Sequence, residues 1–196
     1  MNLIDKILRE SKLNEIIRIP NNSATTDLSD MSIEELNSFL EDSNFKFLDK
    51  INNIEILFEN ESSKMIHLYF RNEGNFIGHI LLKKFDVFNK EINKVILVEI
   101  FKYYKGKGIA KLLYDYLINK FGIISSDTQQ SKSGAKIWES LINSGKYKIL
   151  VYNDNKKKIY YHSEKIKVFT GAPNVYLLAC KTVPIEFKKL LDNENI

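Results

Sequence analysis

Two glycines one residue apart, flanked by lysines, stand in the run Tyr104-Lys105-Gly106-Lys107-Gly108-Ile109-Ala110. Glycine lets backbone approach a ligand closely, and the first N–H groups of a following helix have no partner in their own helix and attract anions. Lys105 and Lys107 add positive charge, so the run suits a diphosphate. Three side chains around it could move protons: Glu99 before the turn, Asp127 and Tyr147 after it. Glu99 reads either as a general base beside the ligand or as an outward strand carboxylate. Asp127 reads either as a base at the carboxyl end of a parallel strand, where open α/β sheets place ligands, or as the residue that turns the chain before the next helix. His67, His79 and His162 lack ligand-like partners at metal spacing, so no metal site is expected. His79, between Gly78 and Ile80, reads as a structural histidine.

Short runs with strand propensity, 54–58, 65–70, 76–82 and 95–101, lead up to the glycine turn, and Asn72-Glu73-Gly74-Asn75 has the look of a hairpin connection. The turn opens an amphipathic helix from Ile109 to Leu117, with Ile109, Leu112, Leu113, Tyr116 and Leu117 on one side and Gly122 as its stop. A short strand, Ile123-Ile124, then a helix carrying Ala135, Ile137, Trp138, Leu141 and Ile142, then strands at 147–152, 159–162 and 174–181 and a tail near Phe187 complete the pattern. Upstream, apolar residues from Leu3 to Ile17 recur as on a helix with one buried face, 21–27 is a polar loop, and Ser32 with Glu35 has capping-box spacing. The order predicts a mixed α/β fold with one parallel strand pair joined by a crossover helix. Its expected parts are a helical segment over 1–45, a ligand-binding core over 46–163, and a strand and tail over 164–196 that complete the sheet.

Length and composition fit this frame: 196 residues, 44% apolar and 28% charged, are those of a globular chain. A net charge of +4 lacks the cationic excess of a phosphate-backbone binder, so nucleic acid is not indicated. Charges interrupt the apolar residues of the first ten positions, so they make no secretory signal, and no stretch is long enough to span a membrane; the expected compartment is cytoplasmic. A lone Cys180 in an apolar run reads as a core thiol.

With its flanking strand and helix, Lys105-Gly106-Lys107-Gly108-Ile109-Ala110 resembles the Q/R-x-x-G-x-G/A signature of the GCN5-related N-acetyltransferase (GNAT) family. Phe76-Ile77-Gly78-His79-Ile80 is similar to that family's third strand, and Ala135-Lys136-Ile137-Trp138-Glu139 to its fourth helix, so the resemblance covers about half the chain, roughly 64–154. Ser126-Asp127 and the pattern from Gly134-Ala135 to Trp138-Glu139 also resemble GNAT-like proteins of bacteriophages. The resemblance implies a GNAT-like fold that takes acetyl-CoA as co-substrate without a metal. Main-chain groups from Lys105 through Ala110 would hold the pyrophosphate; the strand around Val98 and Ile100 would pair with the pantetheine amides and supply an oxyanion donor. An amine of a protein or small molecule would attack the thioester, with Glu99 or Asp127 as base. Two positions depart from the family: Lys105 replaces Gln or Arg and lacks a planar fork, and Trp138 stands where many members carry a proton-donating tyrosine. Tyr147, Tyr103 or Ser126 could replace that acid. Otherwise water supplies the proton, or the chain is a regulatory binding module, of a phage or its host, that engages a macromolecule without turnover. The segments before the core and after Lys158 have three open roles: shaping the acceptor cleft, forming a homodimer face, or docking a partner.

Overall fold

The computed structural model describes residues 32–42, 45–62, 64–128, 130–163 and 174–192. The helix expected between Leu3 and Ile17 and the loop at 21–27 lie outside the described residues. The chain divides into two units, Met1–Ser43 and Asn44–Ile196. In the first, helix α1 (Ile33–Asp42) begins on the capping box: the Glu35 N–H donates to Ser32 Oγ at 3.2 Å, and the Ser32 N–H to Glu35 Oε2 at 2.7 Å.

The second unit is built on a sheet whose strands are β1 (Lys46–Ile51), β2 (Ile54–Ser62), β3 (Met65–Asn72), β4 (Asn75–Val87), β5 (Lys90–Ile100), β6 (Ile123–Ser125), β7 (Lys148–Asn153), β8 (Lys158–Tyr161) and β9 (Val175–Cys180). Their order is β1-β2-β3-β4-β5-β6-β9-β7-β8, and only β5 with β6 runs parallel. Helix α2 (Ile109–Phe121) is the crossover between those two strands, followed by α3 (Lys132–Asn143) and, after β9, α4 (Ile185–Asp192). This is the expected class: a mostly antiparallel mixed sheet with one parallel pair, a crossover helix and flanking helices.

Local chemistry explains the boundaries. Helix α2 buries Leu113, Tyr114, Leu117 and Ile118 and stops at Gly122, whose φ of 77° closes a bond from its N–H to Ile118 O at 2.9 Å. Helix α3 starts where Ser131 Oγ accepts the Gly134 N–H at 3.1 Å, and it buries Trp138 and Leu141. The connection at Glu73 and Gly74 is a two-residue hairpin with both φ positive, 51° and 81°, as expected for that loop.

Three elements differ from the sequence reading. Strand β1 was absent from it because Lys46, Asp49 and Lys50 break its apolar pattern. The β4–β5 hairpin runs far beyond the expected ends, to a turn at Phe88 and Asn89 with φ of 49° and 64°. A phenylalanine rarely takes such a conformation; here its ring packs edge-on against Tyr152 and Phe187, with centroids 5.3 and 6.3 Å away. The tail is a helix, whose Phe187 and Leu191 join Val87, Ile92, Tyr152 and Leu178 in one buried cluster.

The pleat assigns faces. Tyr116 and Lys120 of α2 donate to Asp49 of β1 at 3.2 and 2.9 Å, so Asp49, opposite Ile56 and through it Phe70, lies on the helix side. Leu57, Tyr69, His79 and Glu99 form the adjacent row across β2 to β5 and point to the other side. Gly78 lies where β4 presses on β5: a Cβ there would run into the Glu99 carbonyl oxygen and come within 3.0 Å of Ile100 Cα. Gly78→Ala should therefore lower stability by about 1–3 kcal/mol, read as a lower urea midpoint at unchanged slope. An unaltered midpoint would mean that the two strands part freely.

Candidate active site

Strands β5 and β6 pair only at Asn93 with Ile124 and Lys94 with Ser125. Just beyond, Val95 faces Leu82 and Leu97 faces Leu81, so Ile96 is an extra residue, a bulge that bends β5. From Leu97 to Ile100 β5 stays on β4, and its other edge has no ladder partner among the described residues. The chain after β6 follows β9 instead: the Ser126 N–H donates to Leu177 O at 2.8 Å, and Ser126 Oγ accepts the Leu177 N–H at 3.0 Å. The two parallel strands thus part, leaving the main-chain donors and acceptors of Val98 and Ile100 facing the gap, since those of the alternate residues point to β4.

The glycine turn stands at the same end of β5. Gly106 and Gly108 have φ of 77° and 76°, and Gly108 is the N-cap of α2 with no side-chain acceptor to offer. A Cβ on either would meet nothing within 4 Å, so the space in front of the turn is open and glycine is required there by φ. The first bond back to the cap runs from the Leu112 N–H to Gly108 O at 3.1 Å, leaving the N–H groups of Ile109 and Ala110 without acceptors inside the helix. Lys105 and Lys107 are exposed, the latter with its ammonium 5.3 Å from the Tyr104 ring centre. Helix terminus and lysines give this end of α2 a positive character, with open space before it.

The expected proton carriers occupy unlike settings. Glu99, with a quarter of its side chain exposed (26%), lies with Oε2 2.9 Å from Nε2 of buried His79. Asp127 is committed to the chain around it: its Oδ1 accepts the Thr128 N–H at 2.8 Å and pairs at 3.4 Å with Lys94, which lies over the rings of Phe85 and Tyr176. The Tyr147 hydroxyl donates to Asp115 of α2 at 2.7 Å; burial first, then that carboxylate, holds its proton on above the usual phenol range. Asp115 is the seventh residue of α2, about 10 Å along the helix from the glycine turn. Trp138 is fully buried, edge-on to Tyr114 with centroids 5.9 Å apart, and Tyr103 is 61% exposed beside Phe101. The structure therefore brings Glu99 and the glycine turn to the same end of β5, and turns Asp127 and Tyr147 to other partners.

Sequence reasoning missed what stands behind Glu99. His79 Nδ1 lies 2.6 Å from His67 Nε2, and His67 Nδ1 lies 2.9 Å from the Tyr69 hydroxyl, which is 3.4 Å from Glu59 Oε2 at the exposed end. His79 and Tyr69 are buried. Among the described residues no three His, Cys, Asp or Glu side chains gather as metal ligands would. Burial, and then His79 beside it, push the His67 imidazole down from 6.5 to about 3. The native ring thus stays neutral where the unfolded chain takes up a proton, so its contribution is complete above pH 6.5 and is lost as pH falls toward 3, by up to about 1.4 kcal/mol per pH unit. Urea unfolding at pH 7.5 and 5.0 should show this loss, and His67→Gln should remove that part of it; an equal loss in the variant would refute the assignment.

Fold and site define a class: a mixed α/β protein whose parallel strands part beside a glycine turn that opens the crossover helix. Among solved structures, the chain is similar to ribosomal-protein-alanine N-acetyltransferase of Brucella melitensis, at 22% identity and a TM-score of 0.36, over 41% of this chain and 64% of that one. It is similar too to a GNAT family acetyltransferase of Elizabethkingia anophelis with acetyl-CoA bound, at 15% identity and a TM-score of 0.39, over 68% of this chain and 100% of that one. A third is a GNAT family N-acetyltransferase of Escherichia coli in complex with CoA, at 11% identity and a TM-score of 0.38, over 70% and 86%. No family model matches the chain, and no curated protein does. No helix among the described residues is long and apolar enough to cross a membrane.

Proposed function

We propose that this protein binds acetyl-CoA in the gap where β5 parts from β6 and transfers the acetyl group to an amine of a protein or small molecule. The observation that carries the reading is the β5 edge at 97–100, which no described strand pairs, ending in a glycine turn that caps α2 without a side chain. The open space before Gly106 and Gly108 suits a diphosphate, and the main-chain groups from Lys105 through Ala110 are its donors. Main-chain groups around Val98 and Ile100 would pair with an amide-bearing arm as a neighbouring strand does. Bound there, acetyl-CoA supplies an acyl group activated as a thioester.

Glu99 is the base of this reading, because it is the partly exposed carboxylate on the strand that borders the gap. It removes a proton from the acceptor ammonium so that nitrogen can bond to the acyl carbon, and a main-chain N–H of β5 donates to the carbonyl oxygen as charge develops there. The thiolate that leaves takes its proton from water, and that water is restored by the second proton the nitrogen sheds on becoming an amide, since Tyr147 is bonded to Asp115 and Trp138 has no acidic proton. Asp127 serves its turn and Lys94 rather than the chemistry.

Calorimetric titration with acetyl-CoA, and with CoA alongside, tests the site. Saturable micromolar binding is expected; a folded protein that binds neither would overturn the proposal. The rival reading, a module that binds without turnover, rests on the buried Trp138 at the position of the usual acid. Steady CoA release with any amine acceptor would eliminate it.

A further inference from the structure

Resting on the acetyltransferase reading, the geometry points to His79, His67 and Tyr69 as a positioning string that holds Glu99 aimed as a proton acceptor. Each contact in the string holds one proton, so the string has a direction. The His67–His79 contact of 2.6 Å needs one ring to donate and the other to accept. If His79 carries its proton on Nε2, it donates to the Glu99 carboxylate at 2.9 Å; its Nδ1 then accepts from His67 Nε2, and His67 Nδ1 accepts from the Tyr69 hydroxyl at 2.9 Å. Reversing the string turns the lone pair of His79 Nε2 toward the Glu99 carboxylate, and the hydrogen bond that aims Glu99 is lost.

The distances select the first direction. Single protons on Tyr69, His67 and His79 serve four contacts between Glu59 and Glu99, so one contact goes without; the first direction leaves out the longest, the 3.4 Å from the Tyr69 hydroxyl to Glu59 Oε2, and keeps the charge-assisted one at Glu99, 2.9 Å. The backbone makes the string rigid: Tyr69, His79 and Glu99 stand in one cross-strand row, and His67 is two residues from Tyr69 on the same face. His67 and His79 rings also lie 4.8 Å apart at centroids, and His67 stacks on Tyr69 at 4.2 Å, so the three rings pack together.

Nitrogen-detected NMR of the imidazoles, combined with steady-state kinetics, tests this. Wild-type His79 should carry its proton on Nε2 with Nδ1 bare. In His67→Phe, which removes the donor to Nδ1, the two tautomers of His79 should mix and kcat should fall roughly 10- to 100-fold, while calorimetric affinity for acetyl-CoA stays as in wild type. His67→Gln keeps an N–H donor and should recover most of the rate, which separates loss of the hydrogen bond from loss of packing. A wild-type His79 protonated on Nδ1, or an unchanged kcat in a folded His67→Phe, overturns the string and leaves the acetyltransferase reading intact. Failure of wild-type protein to turn over acetyl-CoA overturns that reading and the catalytic role of the string together.

Discussion

Gly108→Val should weaken acetyl-CoA binding by at least about 100-fold, some 2.7 kcal/mol, while the circular dichroism spectrum of the protein stays that of wild type. The residue caps α2 at a φ of 76°, in the left-handed region that a β-branched side chain avoids at a cost of about 1–2 kcal/mol or more. To escape, the chain must rotate the peptide on which the Ile109 and Ala110 N–H groups are aligned, and a site made of main-chain donors has no side chain to compensate. The fold should survive because the turn is exposed and a Cβ at Gly108 meets no protein atom within 4 Å. Titration calorimetry on variant and wild type is the check. Equal affinity in the two would show that the diphosphate, and so the proposed co-substrate, binds elsewhere.

The second large effect is on chemistry. Glu99→Gln should reduce kcat by about 10²- to 10⁴-fold, the range for loss of a general base, with acetyl-CoA affinity within about twofold of wild type. Glutamine keeps the size of the side chain and a carbonyl oxygen able to accept the His79 Nε2–H, so the row across β3 to β5 stays packed and only proton uptake is lost. A kcat within threefold or so would return Glu99 to the role of a strand carboxylate that satisfies a buried histidine. Asp127→Asn offers a contrast: with its Thr128 and Lys94 contacts it should act mainly on stability, and a loss of kcat rivalling that of Glu99→Gln would reassign the base.

Much of this frame was legible because local chemistry and tertiary structure agree. The glycine turn, the capping box of Ser32 and Glu35, the hairpin at Glu73 and Gly74 and the stop at Gly122 each follow from a residue type at a fixed offset, and each is present. The tip of the β4–β5 hairpin was not legible: Phe88 holds a positive φ through packing against Tyr152 and Phe187, more than sixty residues on, and no local signal announces that. The string behind Glu99 failed for a related reason. Counting back from the turn at Glu73 and Gly74 sets Gly78 opposite Tyr69, whereas a bulge between Phe70 and Arg71 slips the register by one and sets His79 there. One extra residue in β4 thereby lines up two histidines, a tyrosine and a glutamate that sequence spacing keeps apart.

The place of β9 bears on how the chain comes to be folded as it leaves the ribosome. β7 and β8 are made first and can pair as a hairpin, yet among the described strands β9 is the one that pairs them with β6 and the sheet before it. Until Val175–Cys180 has been synthesised, the nascent protein holds two pieces of sheet with open facing edges: a three-residue strand on one side and the apolar run of β7 on the other. Such edges are where chaperones, or neighbouring nascent chains, compete with the native partner. The late strand acts as a keystone: its arrival seals both edges at once and ends the interval in which the newborn chain is exposed to misassembly.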